Sequence, residues 1–224
     1  MTDRHFGLSG RDFGAVLFDM DGTLVDSIGS VERSWVRFCE EYGIDPVLLM
    51  GFHGVPARGV LEALLPDVDQ DVAFARIETL EVEDVEGVIA LPGAVDALGT
   101  LAAQGIPVAI VTSASRPLFL ARVGATGLRA PDAVVTADDV RHGKPAPDPY
   151  LAAAEALGVD PSDCLVVEDA VSGIRSGIAA GCATLAVGST SPREELEAVA
   201  DAVVTDLSAV TFVIAERRVR VSPR

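Results

Sequence analysis

Apolar runs that break off abruptly in polar residues recur along this chain. Ala15-Val-Leu-Phe18 stops at Asp19-Met-Asp21, Ile106-Pro-Val-Ala-Ile-Val111 at Thr112-Ser113, and Cys164-Leu-Val-Val167 at Glu168-Asp169. Runs of this length and uniformity predict strands buried on both faces of a parallel sheet. Between them the spacing turns helical: Arg116 to Gly124, Asp148 to Leu157 closed by Gly158, Ser172 to Ala180, and Pro192 to Val199. Ala133 to Thr136, Ala183 to Val187 and Ala202 to Thr205 complete the predicted strands, with Ala202 to Thr205 as the last. Strand and helix therefore alternate from Gly105 onward, the signature of an α/β fold with a parallel sheet flanked by helices.

The stretch from Ser27 to Ala90 has no strand pattern. Ser27 is placed to cap a helix carrying Val31, Trp35, Phe38 and Cys39 up to Gly43, and Val60 to Leu65 and Val72 to Leu80 predict two shorter helices. Asp45 to Gly54 reads as irregular. The segment is thus expected to be a small helical insert, after which Val88 to Gly93 returns the chain to a helix running through Ala103. The tail from Arg217, with its four arginines, is expected to be a frayed end.

Composition narrows the function classes. The 224 residues suit one domain, or a domain carrying a smaller one, and 49% hydrophobic residues with few aromatics indicate a globular core of small aliphatic side chains. A net charge of −17 argues against nucleic acid or an anionic membrane as partner. Cys39, Cys164 and Cys182 show no close-paired spacing and fit reduced thiols. Met1 to Phe13 lack the apolar stretch of a signal peptide, and no apolar run approaches membrane-spanning length, so a soluble, cytoplasmic protein is expected.

Polar residues at the carboxyl ends of parallel strands share one edge, where such sheets bind ligands. Two carboxylates as close as Asp19 and Asp21 are compatible with a hard cation taking oxygen ligands, or with a solvated Asp-Gly turn. Ser113 can bind phosphate or cap the next helix, Lys144 can supply a cation or lie on the surface, and Glu168-Asp169 can hold metal or complement a helix dipole.

Taken together, Asp19-Met-Asp-Gly-Thr23, Thr112-Ser113, Lys144 in Gly-Lys-Pro, and Glu168-Asp169 followed by Ser172-Gly173 resemble the four signatures of the haloacid dehalogenase superfamily, phosphatase branch. The resemblance spans roughly Ala15 to Ser189. It implies a Rossmann-like core, residues 1–26 and 91–224, with an α-helical cap domain inserted at 27–90. It also implies a Mg²⁺-dependent phosphatase in which Asp19 is the nucleophile, Asp21 the general acid and base, and Lys144 a stabiliser of charge. Asp19, the Asp21 carbonyl and Asp169 would hold Mg²⁺, with Glu168 as a bridged partner, and Ser113, Ala114 and Lys144 would bind phosphate. Small phosphorylated sugars or polyols are the expected substrates of what is taken to be a monomer. In the cap, His53 is a candidate substrate contact or a structural residue, Arg58 a candidate contact or half of a surface ion pair, and Glu78 to Glu86 a solvated helix face. Sugar phosphomutases of the β-phosphoglucomutase type are the enzymatic alternative. They are similar in keeping both aspartates, but carry a histidine where Val31 falls and an arginine where Ala57 falls. A non-catalytic phosphate-binding regulatory protein is the alternative of another class.

Overall fold

The computed structural model describes residues 6–51, 57–131 and 133–224. Its centre is a six-stranded sheet of order β5-β4-β1-β6-β7-β8, with every pairing parallel. These strands are β1 (Ala15–Phe18), β4 (Val108–Val111), β5 (Ala133–Val135), β6 (Cys164–Glu168), β7 (Ala183–Val187) and β8 (Ala202–Val204). Two short strands, β2 (Val25–Asp26) and β3 (Ile89–Ala90), pair antiparallel and form the neck of the helical insert. The helices are α1 (Ile28–Tyr42), α2 (Ala57–Leu64), α3 (Gln70–Glu83), α4 (Ala94–Ala103), α5 (Arg116–Thr126), α6 (Asp148–Leu157), α7 (Val171–Ala179) and α8 (Arg193–Glu197).

Both faces of the sheet are covered, which explains why its strands are apolar without alternation. Ala15 and Leu17 of β1 pack with Tyr150 and Ala153 of α6, whereas Val16 and Phe18 join Leu98 and Leu101 of α4 on the opposite face. The insert has its own apolar cluster, centred on Trp35, Phe38, Leu61, Ile77 and Leu80. It meets the rest of the protein where α3 packs on α5.

The tail departs from the sequence expectation. Instead of fraying, it forms an antiparallel hairpin, β9 (Val210–Ala215) and β10 (Arg218–Pro223), so Ala202–Val204 is not the last strand. Arg218-Val-Arg-Val221 alternates with a period of two, putting Val219 and Val221 in the core and the arginines outside. Arg220 pairs with Asp12, and Arg218 with Asp163. Phe13 is bridged to Val219 and is itself buried, as is Leu8. The count of arginines drew attention from the alternation.

Among the described residues, no helix is long and apolar enough to cross a membrane. The three cysteines are free and buried, and burial pushes the Cys164 thiol up to about 12 and Cys182 up to about 11.

Candidate active site

Strand register assembles the site. Phe18 of β1 lies opposite Ile110 of β4 and Val167 of β6, so the next residues of all three strands emerge together at one edge. β1 ends at Phe18, and the Asp19 amide continues the ladder by donating to Val167 O at 2.9 Å. Lys144 reaches this edge from the loop before α6. Its Nζ donates to Asp19 Oδ1 at 2.6 Å, to Glu168 Oε1 at 2.7 Å and to Val111 O at 2.9 Å. It is the only lysine in the sequence. The loop that carries it is tied to α7 by Ser176 Oγ donating to Ala146 O.

Glu168 is fully engaged. Oε1 also accepts from Tyr150 Oη at 3.2 Å, and Oε2 accepts from the amides of Asp169 and Ala170, both at 2.9 Å, just ahead of α7. The dipole role read from the sequence is thus served by Glu168, whose Oε2 takes the amides ahead of α7. Gly173 makes this possible, because a Cβ there would run into the Glu168 carboxylate. Gly22 has φ +87° in the turn after Asp21, and a Cβ on it would collide with Asp169 Oδ2. Thr23 Oγ1 donates to Asp169 Oδ1 at 3.3 Å.

Asp19, Glu168 and Asp169 are all buried, and each offers a carboxylate oxygen within 4.8 Å of the others. Burial pushes the Asp19 carboxyl up to about 7 against the pull of Lys144, with Glu168 adding to the rise. Asp169 is raised well above its ordinary value by burial and then by Asp19 and Glu168. Burial also opposes the charge on Lys144, but Asp19 and Glu168 hold its ammonium well above the usual range. With all three carboxylates ionised, one ammonium would leave two negative charges, which a divalent cation would balance; without it, burial favours the protonated forms of Asp19 and Asp169. Asp19 Oδ2 is buried without a hydrogen-bond partner, as a ligand oxygen awaiting a cation or a nucleophile awaiting phosphorus would be. An all-oxygen donor set suits Mg²⁺.

Asp21 does not continue β1. Its half-buried side chain accepts from Ser27 Oγ at 2.6 Å, and Arg122 Nε lies 3.3 Å from the same oxygen. Ser27 stands at the start of α1, but its hydroxyl serves Asp21 and makes no capping bond. Ser113 is exposed at the end of β4; the following helix begins after Ser115, so Ser113 is not its cap. The Ala114 amide donates to Thr112 Oγ1 at 3.0 Å. Arg58 forms the surface pair that was its alternative, 3.0 Å from Asp71 Oδ1 with its guanidinium over Phe74. No contact between Arg58 and Asp19 or Lys144 is present among the described residues. His53 lies outside them.

The acidic run is not uniformly solvated. Asp84 is paired with Arg33, and Glu81 is pushed up to about 7 by burial, beside Arg122, Asp21 and Glu78, with a hydrogen bond to Trp35. Sequence reasoning passed over Tyr150 and Arg122, and read Glu81 as part of a solvated face. For Arg122 a signal existed: it shares the apolar i, i+3, i+4 face of α5 with Leu118 and Phe119.

Residues 13–181 match the haloacid dehalogenase-like hydrolase family. The chain is 44% identical over 199 residues to hexitol phosphatase A of Escherichia coli, covering 87% of this chain and 92% of that one. It is 33% identical over 232 residues to 2-deoxyglucose-6-phosphate phosphatase 1 of Saccharomyces cerevisiae, covering 88% and 89%. Among solved structures, a haloacid dehalogenase family hydrolase from Deinococcus radiodurans with bound phosphate and sodium superposes with TM-score 0.66 at 31% identity, over 88% of this chain and 92% of that one. With the match spanning all three polar strand ends and the Lys144 loop, this chain belongs to the haloacid dehalogenase-like hydrolases.

Proposed function

We propose that the protein is a Mg²⁺-dependent phosphatase of small phosphorylated sugars or polyols. The observation that carries this reading is the pair of Asp19 oxygens: Oδ1 is fixed by Lys144, and Oδ2 is buried and unpaired. Family membership and the sugar phosphatases among the relatives support the substrate class.

In the first step Asp19 attacks phosphorus, the phosphorus–oxygen bond to the alcohol breaks, and Asp21 gives its proton to the departing oxygen. In the second, Asp21 takes a proton from water as the water oxygen attacks phosphorus, and the bond to Asp19 breaks. Inorganic phosphate is released and both carboxyls return to their starting forms. Lys144 keeps Asp19 oriented and offers positive charge to the phosphoryl oxygens. Asp19, Asp169 and the Asp21 carbonyl would hold the Mg²⁺, with Glu168 supporting through Lys144. When bound, the cation neutralises the crowded carboxylates and draws off charge that develops on the phosphoryl group.

Residues 27–90 serve in this reading as a cap over a catalytic core of 1–26 and 91–224, with β2 and β3 as its neck. The test is a panel of phosphorylated sugars and polyols, scored for released phosphate with Mg²⁺ and set beside Asp19→Ala. Phosphate release lost in the variant supports the assignment. A sugar phosphate isomerised without release would identify a mutase, and equal rates from both proteins would remove Asp19 from the chemistry.

A further inference from the structure

Among the described residues Arg122 is the largest fully buried side chain, with 0% exposure, and it projects from α5 beside apolar neighbours. Burying a guanidinium costs several kcal/mol unless it is well paired, so packing alone would be served better by leucine or methionine. Yet no carboxylate meets Arg122 in a two-bond fork. Nη1 donates to Ser30 Oγ at 2.7 Å, and Ser30 donates in turn to Asp84 O at 2.5 Å. Nε is buried and makes no hydrogen bond, although Asp21 Oδ1 lies 3.3 Å away. The charge of the same guanidinium also acts on Glu81 of α3. One cation thus connects the sheet-side helix α5, helix α1 of the insert and the carboxyl that follows the nucleophile.

The atoms contacted on Asp21 matter. Ser27 Oγ and Arg122 Nε both address Oδ1, leaving Oδ2 without either donor. Ser27 Oγ as donor and the Arg122 guanidinium as neighbouring charge act on the same oxygen, and so fix the rotation of the Asp21 carboxyl. We propose that Arg122 is a positioning residue for Asp21: anchored on Ser30, its guanidinium stands beside Oδ1 and fixes the orientation in which Asp21 serves the leaving oxygen. This rests on the role given to Asp21 in the proposed function.

The leaving group supplies a readout that loss of packing would not move. An alkoxide must be protonated as it departs, whereas p-nitrophenolate departs without a proton. kcat/KM, which covers steps up to the first bond cleavage, is measured for sorbitol 6-phosphate and for p-nitrophenyl phosphate. In Arg122→Met the value for sorbitol 6-phosphate is expected to fall at least about 10-fold further than that for p-nitrophenyl phosphate, within the range general acids contribute. An equal fall on both esters, or a rise on sorbitol 6-phosphate, overturns the proposal. If Arg122→Met does not fold, Ser30→Ala, which frees the far end of the guanidinium, carries the test. The ratio of the two values should then fall by about 2-fold or more, and an unchanged ratio overturns the idea. Wild-type protein that turns over neither ester speaks against the phosphatase reading and not against the geometry of Arg122.

Discussion

Lys144 Nζ lies 2.6 Å from Asp19 Oδ1 and 2.7 Å from Glu168 Oε1, so a single ammonium joins the ends of two adjacent strands. Replacing it by methionine leaves two buried carboxylates facing each other. Lys144→Met is expected to destabilise the fold by about 3–5 kcal/mol, the cost of breaking a buried ion pair. Phosphate release should fall by about 10²-fold or more, because charge stabilisation and the orientation of Asp19 are lost together. Urea melts and a phosphate assay measure the two losses separately. A variant of wild-type stability would show that the carboxylates do not depend on this cation.

Gly173 lies against Glu168, and Gly99 on α4 faces open space. Gly173→Ala should therefore cost about 1–3 kcal/mol as the Glu168 carboxylate is displaced. Gly99→Ala should be neutral or stabilise by up to about 1 kcal/mol. Thermal melts of the two variants give opposite signs if the close approach at Gly173 is real.

Glu81 is raised to about 7 in the fold, from an ordinary value of 4.5, by burial outweighing Arg122, with Asp21 and Glu78 adding to the rise. The folded state thus holds the proton longer than the unfolded chain does. Below pH 4.5 both states are protonated and Glu81 has no effect; between 4.5 and 7 the wild type loses stability, and above 7 the loss is complete. Glu81→Gln should remove this loss, gaining on the order of 1–2 kcal/mol over wild type at pH 8 and nothing at pH 4. Denaturant melts across that range check it; a constant difference between the proteins would contradict the linkage.

Val219 is fully buried in β10, whereas Arg220 and its partner Asp12 are both substantially exposed. Val219→Ala should cost about 1–3 kcal/mol through lost burial and a residual cavity. Arg220→Ala should cost less than about 1 kcal/mol, as screened surface pairs do. Equal losses would mean that the hairpin is held by its charges.

The sheet was legible because its strands are buried on both faces, so Cys164–Glu168 and Ala183–Val187, buried throughout, stand as largely apolar blocks at their observed boundaries. Asp19, Lys144, Glu168 and Asp169 were legible for a related reason: parallel strand ends converge, and polar residues closing apolar runs mark that edge. The hairpin was not, since Arg-Val-Arg-Val advertises charge while hiding alternate burial. Arg122 and Ser27 were missed because their partners are fixed by helix packing and by a local turn. Spacing gave Ser27 a capping role, and for Arg122 it marks burial on the α5 face but not its partners. Tyr150 sits 18 residues from Glu168, and only the docking of α6 on the sheet brings its hydroxyl to that carboxylate.

The bridge between Phe13 and Val219, reinforced by Arg218 reaching Asp12 across 206 positions, joins remote stretches of the sequence directly beneath the strand that carries Asp19. Contacts so distant are entropically expensive to close and form late. During synthesis the strand leading to Asp19 must therefore wait, partly uncovered, until residue 219 has left the ribosome. Shielding of that interim surface becomes a requirement of expression quite apart from the stability of the finished enzyme.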